Sequence, residues 1–213
     1  MKNACEGVLY PQKAASQIDL SKAIAIEPQK LSLYKNTSLS TESIAYQVPH
    51  KAWLYCKEEL ESTFSYLQQH KPTYSTIFVL APLHKGPIDF DGPYKVYTPE
   101  EGTLKGEDWQ ITLETPSELK ALPFLEQNDE VCTEEHSLEV LAPFIAKVFP
   151  AAKVCYLLAP AQETPAQETP AQENLEEICE ITAIIGRLYF DSLILVSNNN
   201  QTNCGAMWMR KVQ

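Results

Sequence analysis

Long apolar runs are the first thing this chain lacks. No apolar stretch in its 213 residues approaches the roughly 18–20 that a bilayer core requires. Nothing in it is therefore expected to span a membrane. The start, Met1-Lys2-Asn3-Ala4-Cys5-Glu6-Gly7, has no apolar segment behind its lysine, so no secretory leader is expected either. Positive charge is scarce and scattered. Lys and Arg total 17 against 28 Asp and Glu, for a formal net charge of −11, and Arg187 and Arg210 alone carry guanidinium groups. Binding a phosphate backbone needs a basic stripe that releases counterions, so nucleic acid is not expected as a partner. The six cysteines, Cys5, Cys56, Cys132, Cys155, Cys179 and Cys204, lie far apart with no C-x-x-C pair. A chain with a hydrophobic fraction of 44% can build a core without disulfide staples, so reduced thiols and a cytoplasmic location are expected. The same fraction, with 21% charged residues, excludes wholesale disorder.

What is present alternates between two periodicities. Ile44-Ala45-Tyr46-Gln47-Val48 alternates as a strand and stops at Pro49. Over 57–69, Leu60, Phe64 and Leu67 recur at helical spacing with charges opposite. The run 75–81 is continuously apolar and ends at Pro82, as a strand buried on both faces does. Thr115-Pro116-Ser117-Glu118 reads as a helix start, with Thr capping, Pro at the first position and Glu reaching back. A helix follows over 136–149 despite Pro143, then a strand over 153–159, a helix over 175–190 and a strand over 191–196. Strands separated by helices imply crossovers. The expected fold is one α/β layered domain over 1–213, with a mostly parallel or mixed sheet flanked by helices.

One segment stands apart. Residues 161–174 spell AQETP-AQETP-AQEN. A period of five with proline fits neither a heptad nor a solenoid repeat, and it offers no apolar face to bury. It is expected to be an inserted, solvated low-complexity loop.

Of the four histidines, two follow predicted strand ends: His50 behind Pro49, and His84 behind Pro82-Leu83. Ligands in open α/β sheets bind beyond the carboxyl ends of strands, so both would face one crevice if those strands are neighbours. His136 opens a helix after an acidic stretch, Ser197 and Asn198 end the last strand, and Cys204 follows in a loop. Imidazoles with a thiolate or carboxylate suit zinc, iron or copper. His70 ends a surface helix, where the helix dipole accounts for it.

The residues also resemble a family. Val48-Pro49-His50-Lys51-Ala52-Trp53-Leu54-Tyr55 is similar to the PHAGW-x-YSG signature of the Memo family, also called the AmmeMemoRadiSam system protein B family. Glu6-Gly7-Val8-Leu9-Tyr10-Pro11 resembles its AGxFYP, Ala81-Pro82-Leu83-His84-Lys85 its GPSHH, and Thr98-Pro99-Glu100-Glu101-Gly102 stands where TPLG is expected. Glu135-His136-Ser137-Leu138-Glu139-Val140 matches EHSLEV, and Asn203-Cys204-Gly205 resembles the late CG motif. The resemblance implies a fold similar to the class III extradiol dioxygenases, with a metal pocket at strand ends. Carried over by position, His50, His84, His136 and Cys204 would line it, with Trp53, Tyr55, Glu135 and Ser197 around them.

The departures bear on chemistry. The acidic residue usual three places before the EHS histidine is Thr133 here, and Asp129, Glu130, Glu134 or Glu135 would have to substitute. The second histidine of SHH is Lys85, and Ser197-Asn198-Asn199-Asn200 stands in place of SSDLSHY. Non-haem iron oxygenases hold their metal by two histidines and a carboxylate, so oxygen chemistry is not the expectation. Two readings stay open. In one, the histidines and Cys204 hold one iron, copper or zinc ion for redox or metal-handling chemistry, with occupancy falling below about pH 6 as imidazoles protonate. In the other no metal is bound. The old pocket then takes a peptide or protein partner through Trp53, Tyr55 and Trp208 as aromatic anchors.

Overall fold

A computed structural model describes residues 14–33, 44–83, 95–160, 175–189, 191–197 and 209–210. The repeat at 161–174 and the positions of His84, Asn198, Cys204 and Trp208 lie outside these residues. After a single 3-10 turn at Ala15–Gln17, the described chain runs β1 (Lys30–Leu33), β2 (Ile44–Val48), α1 (Trp53–His70), β3 (Thr76–Leu83) and β4 (Val96–Thr98). It continues through β5 (Gly102–Lys105), β6 (Gln110–Leu113), α2 (Ser117–Lys120), β7 (Leu125–Gln127), α3 (Asp129–Thr133) and α4 (Ser137–Val148). Last come β8 (Lys153–Pro160), α5 (Leu175–Leu188), β9 (Ser192–Ser197) and β10 (Met209–Arg210).

All described strands join one sheet, in the order β10-β1-β2-β9-β3-β8-β4-β7, with β6 also beside β8 and β5 beside β6. Its centre, β2-β9-β3-β8, is parallel throughout. β1 joins antiparallel on one side and β4 on the other, so the whole sheet is mixed. The chain moves from β2 to β3 in one direction along the sheet and from β8 to β9 in the other. Right-handed crossovers therefore put α1 and α5 on opposite faces.

That two-sided cover explains the continuous apolar strands. Ile77, Val79 and Ala81 of β3 pack with α1 and α4, whereas Phe78 and Leu80 pack with α5. β8 divides the same way, with Val154, Tyr156 and Leu158 on the first face and Cys155, Leu157 and Ala159 on the second. The helical spacing of Leu60, Phe64 and Leu67 turns that stripe of α1 inward. Each such side chain contributes about 1.5–3 kcal/mol on burial. Phe64 stacks on Phe144 of α4 with ring centroids 5.2 Å apart.

Two helix starts read from the sequence need correction. Helix α1 begins a turn earlier than 57, at Trp53. The helix that starts after Thr115 is the single turn α2, with Pro116 at the cap position rather than the first helical one and no side-chain cap. Thr115 does not cap because its hydroxyl lies inside the core, 2.7 Å from that of Thr98. Glu118 does not reach back either: its carboxylate accepts from Tyr189 Oη at 2.6 Å. Strands β1, β4, β5, β6, β7 and β10 were too short to show a period.

Among the described residues no helix is long and apolar enough to cross a membrane. Cys56, Cys132, Cys155 and Cys179 are thiols rather than disulfide halves. Burial pushes the first three up to about 12, so they are protonated at neutral pH.

Candidate functional site

The site begins where the parallel strands end. Val48 lies opposite Ser197 in the β2–β9 ladder. Pro49 then stops the strand, and His50 turns inward to only 1% exposure. Its Nδ1 lies 2.7 Å from the hydroxyl of Ser197, a residue with no exposed surface. Two segments 147 residues apart thus meet because their strands are neighbours.

The second imidazole comes from α4. His136 holds the N-cap position, where its carbonyl accepts the first helical bond from Val140, yet its side chain makes no cap. The ring instead faces His50, with centroids 5.5 Å apart and planes at 67°. Helix α4 is fixed to α1 by Trp53, whose indole donates to the Val140 carbonyl at 3.1 Å and packs edge-on against Phe144 at 5.1 Å. Cys56 ties down the same entry segment, its thiol donating to the Lys51 carbonyl.

Trp53 is therefore part of the core, at 5% exposure. Its neighbours differ sharply: Leu54 and Tyr55 are 83% and 75% exposed on the first turn of α1. His70 stacks on Tyr66, with centroids 4.5 Å apart, at the far end of α1.

The acidic residues sort by burial. Asp129, Glu130 and Glu134 are exposed, and the Asp129 carboxylate accepts the Glu100 amide at 2.9 Å. The Thr133 hydroxyl donates to the Asp129 carbonyl. Only Glu135 of this group is buried, at 2% exposure. It lies near Cys132 and Tyr156: burial first, then the Glu135 charge, pushes the Tyr156 phenol well above its ordinary value. Among the described residues no three His, Cys, Asp or Glu side chains come together in a way that could hold a metal ion. His50 and His136 are a pair, Glu135 does not complete a triad with them, and His84 and Cys204 are outside the described residues. Sequence reasoning missed Tyr156. The signal was a polar tip inside the apolar run Val154-Cys155-Tyr156-Leu157-Leu158.

These features define a class: an open doubly wound α/β sheet with two imidazoles brought together beyond the carboxyl ends of its parallel strands. The model of the Memo-like protein family matches residues 3–185, and the chain belongs to that family. A search among curated proteins gives no match.

Proposed function

We propose that this Memo-like protein holds one transition-metal ion, iron, copper or zinc, in the crevice at His50 and His136, for redox or metal-handling chemistry. The observation that carries the reading is the pairing of the two imidazoles at 5.5 Å. Two imidazoles bound to one ion at about 2.0–2.1 Å, near the tetrahedral angle, stand with centroids about 5 Å apart. The donor chemistry therefore fits half a site. With Nδ1 of His50 donating to Ser197, the ion is taken at Nε2, the arrangement in which a second-shell acceptor fixes the tautomer. His84 and Cys204 are the candidates for the remaining positions, and a bound ion would supply Lewis acidity or a redox couple there. The test is metal content by mass spectrometry on untagged protein purified without chelator under reducing conditions. One ion per chain is expected, lost in both His50→Ala and His136→Ala. A protein that arrives empty and refuses added Fe(II), Cu(I) and Zn(II) overturns the reading.

A second reading has an observation of its own. Leu54 and Tyr55 stand exposed four and five residues beyond buried His50, on the first turn of α1. A peptide or protein partner docking there would use Tyr55 as its anchor, since Trp53 is in the core.

A further inference from the structure

Beyond the imidazole pair, the least expected polar group in the core is the hydroxyl of Tyr156. The residue stands mid-strand in β8, 2% exposed, on the face that packs against α1 and α4. Its phenol comes up to the first turn of α4, beside the Ser137 hydroxyl and the Leu138 amide, with Glu135 and Cys132 also close enough to act on it. Ser137 has no exposed surface, and neither its hydroxyl nor that of Tyr156 completes a hydrogen bond of full geometry. The two stand next to one another, cut off from solvent. Phenylalanine would fill the same space without burying a hydroxyl, which is unfavourable in an apolar core. The Tyr156 hydroxyl stands beside Ser137, and Ser137 is the residue next to His136.

We propose that Tyr156 is a positioning residue for the imidazole pair: through Ser137, at the first helical position of α4, its hydroxyl sets how His136 stands relative to His50. This rests on the reading of the pair as the functional site. Both imidazoles are then referenced to one rigid sheet. Ser197 on β9 bonds His50, and the Tyr156 hydroxyl on β8 lies beside the end of α4 that carries His136; β3 lies between these strands and is paired to each. The contact acts at short range, so it moves His136 without disturbing the far end of α1.

The experiment compares wild type, Tyr156→Phe, Ser137→Ala and the double variant by NMR of the histidine rings in metal-free protein. In Tyr156→Phe the His136 ring signals should shift and the cross-relaxation between His50 and His136 rings should weaken. The His70 ring signals should stay where they are. Ser137→Ala should give the same signature, and the double variant no more than either single change, because one contact is shared. With Zn(II) as probe, Tyr156→Phe should lower affinity on the order of tenfold, as loss of a supporting group does. Unchanged His136 signals in a folded Tyr156→Phe, or effects that simply sum in the double variant, overturn the proposal. Should Tyr156→Phe fail to fold, Ser137→Ala decides on the same signals. Because these signals are read without metal, failure of the wild type to take up Zn(II) overturns the metal reading and leaves this one to be judged by the rings.

Discussion

At the scale of single residues, Gly106 is a tightly constrained backbone position. It opens the turn between β5 and β6, where its amide donates to the Trp109 carbonyl at 3.0 Å. A Cβ on Gly106 would lie 2.2 Å from Nε1 of Trp109, a residue only 8% exposed. The indole cannot swing into solvent without giving up that burial, so Gly106→Ala should destabilise the fold by about 1–3 kcal/mol, the usual range for overpacking. Thermal unfolding should show a loss of several degrees, with indole emission shifted to the red. An unchanged melting temperature would mean that the turn relaxes around the methyl group. Nothing in the sequence marked this turn, because Gly106 and Trp109 are related only by how the hairpin closes. His50 is the opposite case. The strand period and Pro49 placed it at a strand end from the residues alone, and Ser197 was placed at the end of the last strand in the same way; that the two touch follows only from the β2–β9 pairing. The resemblance singled out Glu135, but its burial was not legible. Four acidic residues, Asp129, Glu130, Glu134 and Glu135, look alike in sequence, and only the path from α3 to α4 turns Glu135 inward.

At the scale of elements, legibility followed length and burial. The central strands and α1, α4 and α5 have enough residues to establish a period, and their apolar faces are set by the layers that cover them. The short strands β4 to β7 have three or four residues each, so pairing partners and not local pattern create them. The same holds for the turn at Ala15–Gln17, which is held by a side chain far away in sequence. The Asp108 carboxylate accepts the amides of Ser16 at 2.8 Å and Ala15 at 3.2 Å, and Lys147 donates to the Ala15 carbonyl at 3.0 Å. Burial alone would lift the Asp108 carboxyl, but the Ser16 and Ala15 amides outweigh it and hold the group below its ordinary 3.8. A carboxyl lowered on folding stabilises the fold above its unfolded value and loses that contribution as pH falls through its folded one. The clasp should therefore be intact at pH 6, begin to weaken only below the unfolded value of 3.8, and open as the pH falls through the lower folded one. Hydrogen exchange at Ala15 and Ser16 should report this as a fall in protection factor on acidification. Asp108→Ala should show the low-protection state already at pH 6. Equal protection in the two proteins would place the hold on this segment elsewhere.

At the scale of the whole molecule, the question is how the crevice and the core are joined, and Trp53 is where they meet. Its indole bridges α1 to the Val140 carbonyl of α4 and packs on Phe144, three residues from the His50 loop. Replacing it with alanine removes a buried aromatic and leaves that carbonyl without its indole donor. Changes of this kind cost about 3–5 kcal/mol. Tyr55, two residues on, is 75% exposed, so Tyr55→Ala should shift stability by no more than about 0.5 kcal/mol. The pair separates two ideas that the motif Pro49-His50-Lys51-Ala52-Trp53-Leu54-Tyr55 runs together. If the aromatic residues serve the crevice through the fold, Trp53→Ala should lower the denaturant midpoint sharply, and the spacing of His50 and His136 should loosen with it. Tyr55→Ala should then leave both the midpoint and any bound metal unchanged. If they serve a partner, Tyr55→Ala should abolish capture of that partner while the midpoint stays that of wild type. A Trp53→Ala protein as stable as wild type would contradict the core position of the indole, and with it the argument that α1 and α4 together hold the two imidazoles in place.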